Sequence, residues 1–443
     1  MVLTTILALT ISFPLQEEKA PLRFEEYRTH EGETENQNLG FYVHNCGDLN
    51  EDGIGDYILA GPGDLKEGEQ VGSVEFRSGK DGALLFKLYG PHEGSNFGRI
   101  AIGVGDVTGD GVVDLAISAT KESARVKEGG SLRVFSGKDQ KLVHLWHGDE
   151  AYDKFGRSLA IISDLDGDSV QEILVGGYQP NGLHKTGRGY VRLYSGKKGN
   201  LLRTISGLRP KDMFGVTLCN SGDMNRDGVD DFAVGSFFAR RKDPGRQPSV
   251  GSVSAFNGTN GELLWRKFAT DYPFAQNETD NPTFGRKVCS PGDLNGDGYS
   301  DLLASAPLWD APSTKKSDNR GMVLALSGKD GSLLKGGEMP GAKSGAGFGH
   351  SVAKMGDVNG DGRGDFLVSA MSGGYIELRS GSDFSVLARI GGWPRRNMFS
   401  QSIRAAGDLD GDGISEVIVG EPGATINGKS KAGKVYIFKL VSS

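Results

Sequence analysis

Apolar residues in this chain fall in short runs whose length and β-branched content suit a strand, as in "DYILAGP" (56–62), "DLAISA" (114–119) and "EVIVGEP" (416–422). Runs of that length and content predict buried strands. A second kind of segment follows each run: "GSVEFRSG" (72–79), "GSLRVFSG" (130–137) and "GYVRLYSG" (189–196). These end in Gly-rich turns, with "SGKDG" at 78–82 and again at 327–331, which read as hairpin connections. A further strand then follows, such as "ALLFKLYG" (83–90).

Between the strands one acidic skeleton recurs, seen in "GDMNRDGVDDF" (222–232), "GDLNGDGYSDL" (292–302), "GDVNGDGRGDF" (356–366) and "GDLDGDGISEV" (407–417). Its first aspartates are Asp48, Asp106, Asp164, Asp223, Asp293, Asp357 and Asp408, a repeat of about 60 residues. Nine residues before each stands Leu39, Phe97, Phe155, Phe214, Phe284, Phe348 or Phe399, followed by glycine in every copy except Ser400. Each repeat is thus a four-stranded meander, the unit of a propeller blade. The seventh repeat reaches its third strand, "KVYIFKL" (434–440), and ends at Ser443, one strand short. "RFEEYRT" (23–29) can supply the missing strand and close the ring, which removes both open sheet edges. The expected fold is an all-β, seven-bladed β-propeller over residues 21–443, closed by an N-terminal strand.

The acidic loops read D-x-[DNT]-x-D-[GS]-x-x-[DE]. Oxygen side chains at positions 1, 3, 5 and 9 form the donor set that a hard cation such as Ca²⁺ takes. The predicted ligands are Asp48, Asn50, Asp52 and Asp56 in the first loop, Asp106, Thr108, Asp110 and Asp114 in the second, and Asp164, Asp166, Asp168 and Glu172 in the third. They are Asp223, Asn225, Asp227 and Asp231 in the fourth loop and Asp293, Asn295, Asp297 and Asp301 in the fifth. The sixth offers Asp357, Asn359, Asp361 and Asp365, and the seventh Asp408, Asp410, Asp412 and Glu416. Glycine at position 6 allows the sharp turn, and Ser169, the one departure, predicts a distorted third site. An EF-hand begins with the same letters but needs a glutamate at position 12 on a helix. Position 12 here is apolar in all seven loops, so the acid at position 9 must close the site. Magnesium, which keeps several waters, suits so crowded a carboxylate loop less well than calcium, and up to seven Ca²⁺ are expected. Seven such ions would take the formal charge from -7 to +7.

Composition narrows the function classes. Glycine is 69 of 443 residues, roughly twice the average of ~7%, while proline at 16 is not raised, so the chain is turn-rich rather than disordered. A net charge of -7 with no long lysine or arginine run argues against a nucleic-acid partner. Cys46, Cys219 and Cys289 are too few for a disulfide framework and read as small core side chains. The apolar stretch "MVLTTILALTISFPLQ" is too short to span a bilayer, and residues 1–20 read as a signal peptide or disordered leader. No other apolar run is long enough for a membrane span.

Phe-Gly, the acidic loop and the "GP", "AP" or "EP" that closes the second strand at Gly61-Pro62, Ala306-Pro307 and Glu421-Pro422 together resemble the FG-GAP repeats of integrin α-subunit propellers. The resemblance covers residues 23–443 and implies that the acidic loops join strands one and two on the lower face, with ligands met on the upper one. Integrins fill only some blades with calcium, whereas all seven loops are present here. Arg363-Gly364-Asp365 spells an adhesion tripeptide, but Asp365 is the position 9 acid of the sixth loop, so the match reads as incidental.

The longest connections, 236–251, 269–285 and 306–321, fall on blades four and five and carry Phe238, Tyr272, Phe274 and Trp309 among Arg240, Arg241 and Arg246. Such loops suit a protein or carbohydrate partner. The expected protein is a secreted, periplasmic or cell-surface calcium-binding module with adhesion-like function. The alternative is a polysaccharide-active hydrolase or lyase on the same scaffold, with Asp310 and Glu278 as a candidate carboxylate pair. No HExxH, GxSxG or P-loop motif is present, and no catalytic residue is assigned. Asn257 and Asn277 are N-x-T acceptors in a eukaryotic secretory route.

Overall fold

The computed structural model describes residues 22–179, 187–241, 249–273, 282–311 and 318–442. The signal or leader expected over residues 1–20 lies outside them. Seven four-stranded antiparallel sheets follow one another along the chain. The first comprises Tyr42–Gly47, Asp56–Gly61, Ser73–Arg77 and Leu84–Tyr89, ordered as in the sequence. The innermost strand of each sheet touches the innermost strand of the next, and Ser402–Gly407 of the last touches Tyr42–Gly47 of the first, so the ring is closed. This is the seven-bladed β-propeller that the repeat predicts.

Closure uses the N-terminus, as expected. Leu22–Glu31 pairs antiparallel with Lys434–Ser442 and forms the outer edge of blade seven. It also reaches blade one: His30 Nε2 lies 2.7 Å from the Tyr57 hydroxyl, and Arg28 donates to the Gly79 carbonyl at 3.0 Å.

The second strand of six of the seven blades is buried at every residue from its position 9 acid onward, and Leu115–Ala119 of blade two is buried throughout. Neighbouring blades cover both of its faces, which explains continuous apolar runs instead of alternation. Among the described residues one apolar cluster fills each interface between adjacent blades, including the one joining Leu39, Val43 and Leu59 of blade one to Ile418, Val435 and Ile437 of blade seven.

The Phe-Gly pairs hold blade to blade. Phe97, Phe155, Phe284, Phe348 and Phe399 are fully buried, as is Leu39 in the first copy. Truncating such a phenylalanine costs about 3–5 kcal/mol. The backbone of Phe155, Phe214, Phe284 and Phe348 bridges to the glycine that opens the third strand of the preceding blade. The next residue must then turn with a positive φ. Gly285 has φ 80°, and a Cβ there would stand 2.4 Å from the Ser252 carbonyl oxygen. Ser400 follows the same left-handed path at φ 65°, with its buried hydroxyl left without a partner.

Candidate metal centres

Each acidic loop folds on its own carboxylates. In the sixth, Asp357 Oδ1 accepts the N–H groups of Gly360 (2.8 Å) and Asp361 (3.0 Å), and its Oδ2 accepts that of Gly362 (2.8 Å). Asp361 in turn accepts the Arg363 N–H at 2.9 Å. The first-position aspartate therefore wraps the backbone around itself, as an Asx turn does. Ser169 does not distort the third loop as expected. It takes φ 69° and donates its N–H to Asp164 Oδ2 at 2.8 Å, on the path that glycine follows elsewhere. Serine pays some strain for that backbone but need not leave it.

The acid at position 9 does more than the sequence indicates. Asp56, Asp114, Asp231, Asp301 and Asp365 are fully buried. One oxygen of each accepts an N–H from position 2 of its own loop, as Leu49 donates to Asp56 at 2.8 Å. The other oxygen accepts the N–H of a glycine in the turn between the third and fourth strands, namely Gly79, Gly137, Gly258, Gly328 or Gly381, at 2.9–3.0 Å. This carboxylate thus clasps two loops of one blade at the same end. The recurrent glycine of "SGKDG" was the available signal, although it reads first as hairpin chemistry.

Blades three and seven depart from this pattern, and both carry glutamate at position 9. Glu172 and Glu416 accept only from their own loop's backbone. Blade seven has no turn to clasp because its fourth strand comes from the N-terminus. In these two loops position 3 is also acidic, and Asp164, Asp166 and Glu172, like Asp408, Asp410 and Glu416, bring carboxylate oxygens within 4.8 Å of one another.

Burial first, then the nearby loop carboxylates, pushes Glu172 and Glu416 up to about 7 and Asp231 and Asp301 up to about 6. The same causes raise Asp56. Oxygens so placed favour a cation. Loop three gives the direct test of fit: Glu172 Oε2 and Asp166 Oδ1 are both buried and have no hydrogen-bond partner. Two orphaned carboxylate oxygens facing a third acid are the donors a hard cation takes. A lysine already leans on this loop, with Lys198 Nζ 3.0 Å from Asp166 and 3.3 Å from Asp168. In the loops with asparagine at position 3 the amide donates to the position 5 carboxylate instead, as Asn359 does to Asp361 at 2.9 Å.

Other candidates resolve differently. Asp365 is buried and held by Val358 and Gly381, while the Arg363 guanidinium donates to the Asp293 carbonyl at 3.0 Å, so the Arg-Gly-Asp tripeptide is built into the loop. Tyr272 and Trp309, expected as ligand-facing aromatics, are buried in the core between blades four and five, where the Tyr272 hydroxyl donates to the Gly331 carbonyl at 2.7 Å. Phe238 is half-buried and packs on Phe237. Arg240 is exposed, and Arg241 pairs with Asp271 at 2.7 Å. Phe274, Arg246, Glu278 and Asn277 lie outside the described residues. Asp310 accepts the Asn319 N–H at 2.6 Å, and the Asn257 amide donates to Asp227 at 2.9 Å. Cys46 is buried, and Cys219 and Cys289 are partly so; all three are free thiols.

Fold and loops together define the class: an all-β propeller of seven blades, each carrying an acidic loop between its first two strands. Residues 284–326 and 402–438 match the FG-GAP repeat model. Integrin alpha-V of Gallus gallus is 32% identical over 213 residues, which is 45% of this chain and 19% of that protein. Human integrin alpha-8 is 29% identical over 257 residues, or 56% of this chain and 22% of the relative. Integrin alpha-PS3 of Drosophila melanogaster is 29% identical over 228 residues, 50% of this chain and 19% of its own length. The chain is an FG-GAP-repeat, integrin-α-like β-propeller. It spans about a fifth of the length of these relatives. No helix among the described residues is long and apolar enough to cross a membrane.

Proposed function

We propose that this propeller is a calcium-stabilised, adhesion-like module that binds a protein or carbohydrate ligand outside the cytoplasm, as a secreted, periplasmic or cell-surface protein. The observation that carries the calcium reading is the pair of orphaned oxygens on Glu172 and Asp166. Each loop would hold the ion through its residues at positions 1, 3, 5 and 9, with the position 9 acid also fixing the blade's outer turn. The ion's contribution is to neutralise carboxylates that burial and mutual repulsion penalise.

Ligand binding is placed on the long connections of blades four and five. A groove of about 190 Å³ beside blade four, lined by Arg209, Asp212, Arg240, Arg241 and Arg266, supports a polar partner there.

The test is a melt with and without chelator, joined to isothermal titration with Ca²⁺. With Kd near ~10⁻⁴ M, calcium at ~1 mM adds about 1.4 kcal/mol per site, or roughly 10 kcal/mol over seven independent sites. An EDTA melting curve that overlays the calcium curve would refute the proposal. For the ligand, glycan-array or pull-down binding should fail when the connections of blades four and five are shortened. Binding that survives the shortening places the site elsewhere.

A further inference from the structure

The first strands line the axis of the ring, and the residue after each Phe-Gly pair or its equivalent faces a central cavity of about 70 Å³. In blades two, three and five that residue is arginine: Arg99, Arg157 and Arg286. Lys287 and Arg404 line the same cavity, and no aspartate or glutamate does. Five basic side chains therefore converge from four blades.

Among the described residues no carboxylate pairs with them. Arg99 stacks over Phe41 with its guanidinium carbon 4.4 Å from the ring centre, Arg286 over Phe237 at 5.3 Å, and Arg404 over Tyr42 at 5.3 Å. Stacking engages the face of a guanidinium and leaves its N–H edge free to donate. Among the described residues neither guanidinium of Arg99 or Arg286, nor the Lys287 ammonium, has a side-chain ion pair or a protein acceptor. Burial and the fields of Arg404, Arg157, Arg286 and Arg99 push Lys287 well below its ordinary range, and burial with Arg157 and Arg286 brings Arg99 down to about 9. Like charges gathered in a partly closed cavity are unfavourable without a counter-charge.

We infer that the central channel is a binding site for a tetrahedral oxyanion, a sulfate or phosphate group, held by Arg99, Arg157, Arg286 and Lys287. A tetrahedral ion presents acceptor oxygens in every direction and so meets donors arriving from several blades around an axis. A carboxylate has two oxygens in one plane and meets fewer of them. None of the acidic-loop residues lines this cavity. The group can arrive as the free ion or as an ester on a partner.

Titration calorimetry of the full chain with sodium sulfate, in calcium buffer at low chloride, tests this. One saturable site per chain is expected, weakened at least tenfold by Arg99→Gln and by Arg286→Gln, retained within about threefold in Arg286→Lys, and unchanged in Lys141→Gln on the outer surface. Methyl sulfate runs in parallel: equal binding shows that the group can be delivered on a partner, and binding of sulfate alone assigns the site to the free ion. If a glutamine variant fails to fold, the wild-type melt decides, since sulfate should raise it saturably at concentrations too low for its general salting effect, and a linear, non-saturating rise counts against the site. No saturable uptake by the intact protein, or wild-type affinity in the folded glutamine variants, overturns the inference.

Discussion

The double role of the position 9 acid can be separated by replacing Asp301 in two ways. Its side chain is fully buried, with Oδ2 accepting the Leu294 N–H at 2.9 Å and Oδ1 the Gly328 N–H at 3.0 Å. Asp301→Ala leaves both donors without a partner, at about 1–3 kcal/mol each, so roughly 2–6 kcal/mol in all. Asp301→Asn keeps one acceptor and loses the other bond, costing about 1–3 kcal/mol. It also removes a buried charge. Folding raises this carboxyl from 3.8 to about 6, so the stability its neutral form brings below pH 4 is lost as the pH rises through 6. At neutral pH the ionised form thus carries a penalty of ~3 kcal/mol, which both variants escape. In EDTA the asparagine variant, which keeps one acceptor, should therefore be about 1–3 kcal/mol more stable than the alanine variant, which keeps neither. In calcium both should additionally lose the increment of one site, about 1.4 kcal/mol at ~1 mM ion for Kd near ~10⁻⁴ M. Urea unfolding followed by circular dichroism, with and without calcium, measures all four differences. Equal stability of the two variants in EDTA would show that the clasp does not hold the blade.

Three further outcomes follow from the fold. His30 sits at the junction of blades seven and one, and burial first, then Arg77 and Arg28, lowers its pKa from 6.5 to about 3. The neutral ring is favoured, so its contribution is intact above pH 6.5 and is lost as the pH falls toward 3, by up to about 1.4 kcal/mol per pH unit. Urea midpoints should fall less steeply with acid in His30→Gln, and parallel slopes would contradict the assignment. Ser400→Gly relieves a left-handed serine and a buried unpaired hydroxyl and should stabilise by about 1–2 kcal/mol, whereas Gly285→Ala, facing the Ser252 carbonyl, should destabilise by more than ~2 kcal/mol; thermal melts of the pair give the signs. Deleting residues 22–31 strips the outer strand from blade seven and bares the Lys434–Ser442 edge, so size-exclusion chromatography should show self-association; a monodisperse monomer would mean that the strand is dispensable.

Much of the architecture is legible in local sequence. Short apolar runs, Gly-rich turns and a repeating Phe-Gly sit within one repeat of about 60 residues and specify a blade without reference to its neighbours. The missing last strand of repeat seven and the spare strand at residues 23–29 together indicate how the ring closes. Aromatic residues in long connections were less informative. Tyr272 and Trp309 pack into the interface between blades four and five, because a loop crossing an apolar seam buries whatever large side chains it carries.

The sequence by itself determined the repeat, the blade and the acidic loops, since each depends on residues a few positions apart whose spacing is set by strand and turn geometry. Only the tertiary structure decided that the position 9 acid grips the glycine of a distant turn, as Asp56 grips Gly79. Only ring closure brings Arg99, Arg157 and Arg286 from separate blades to one axis. In a chain of net charge -7 these arginines stand apart as single letters after Phe-Gly, and their convergence exists only because seven first strands share a common centre.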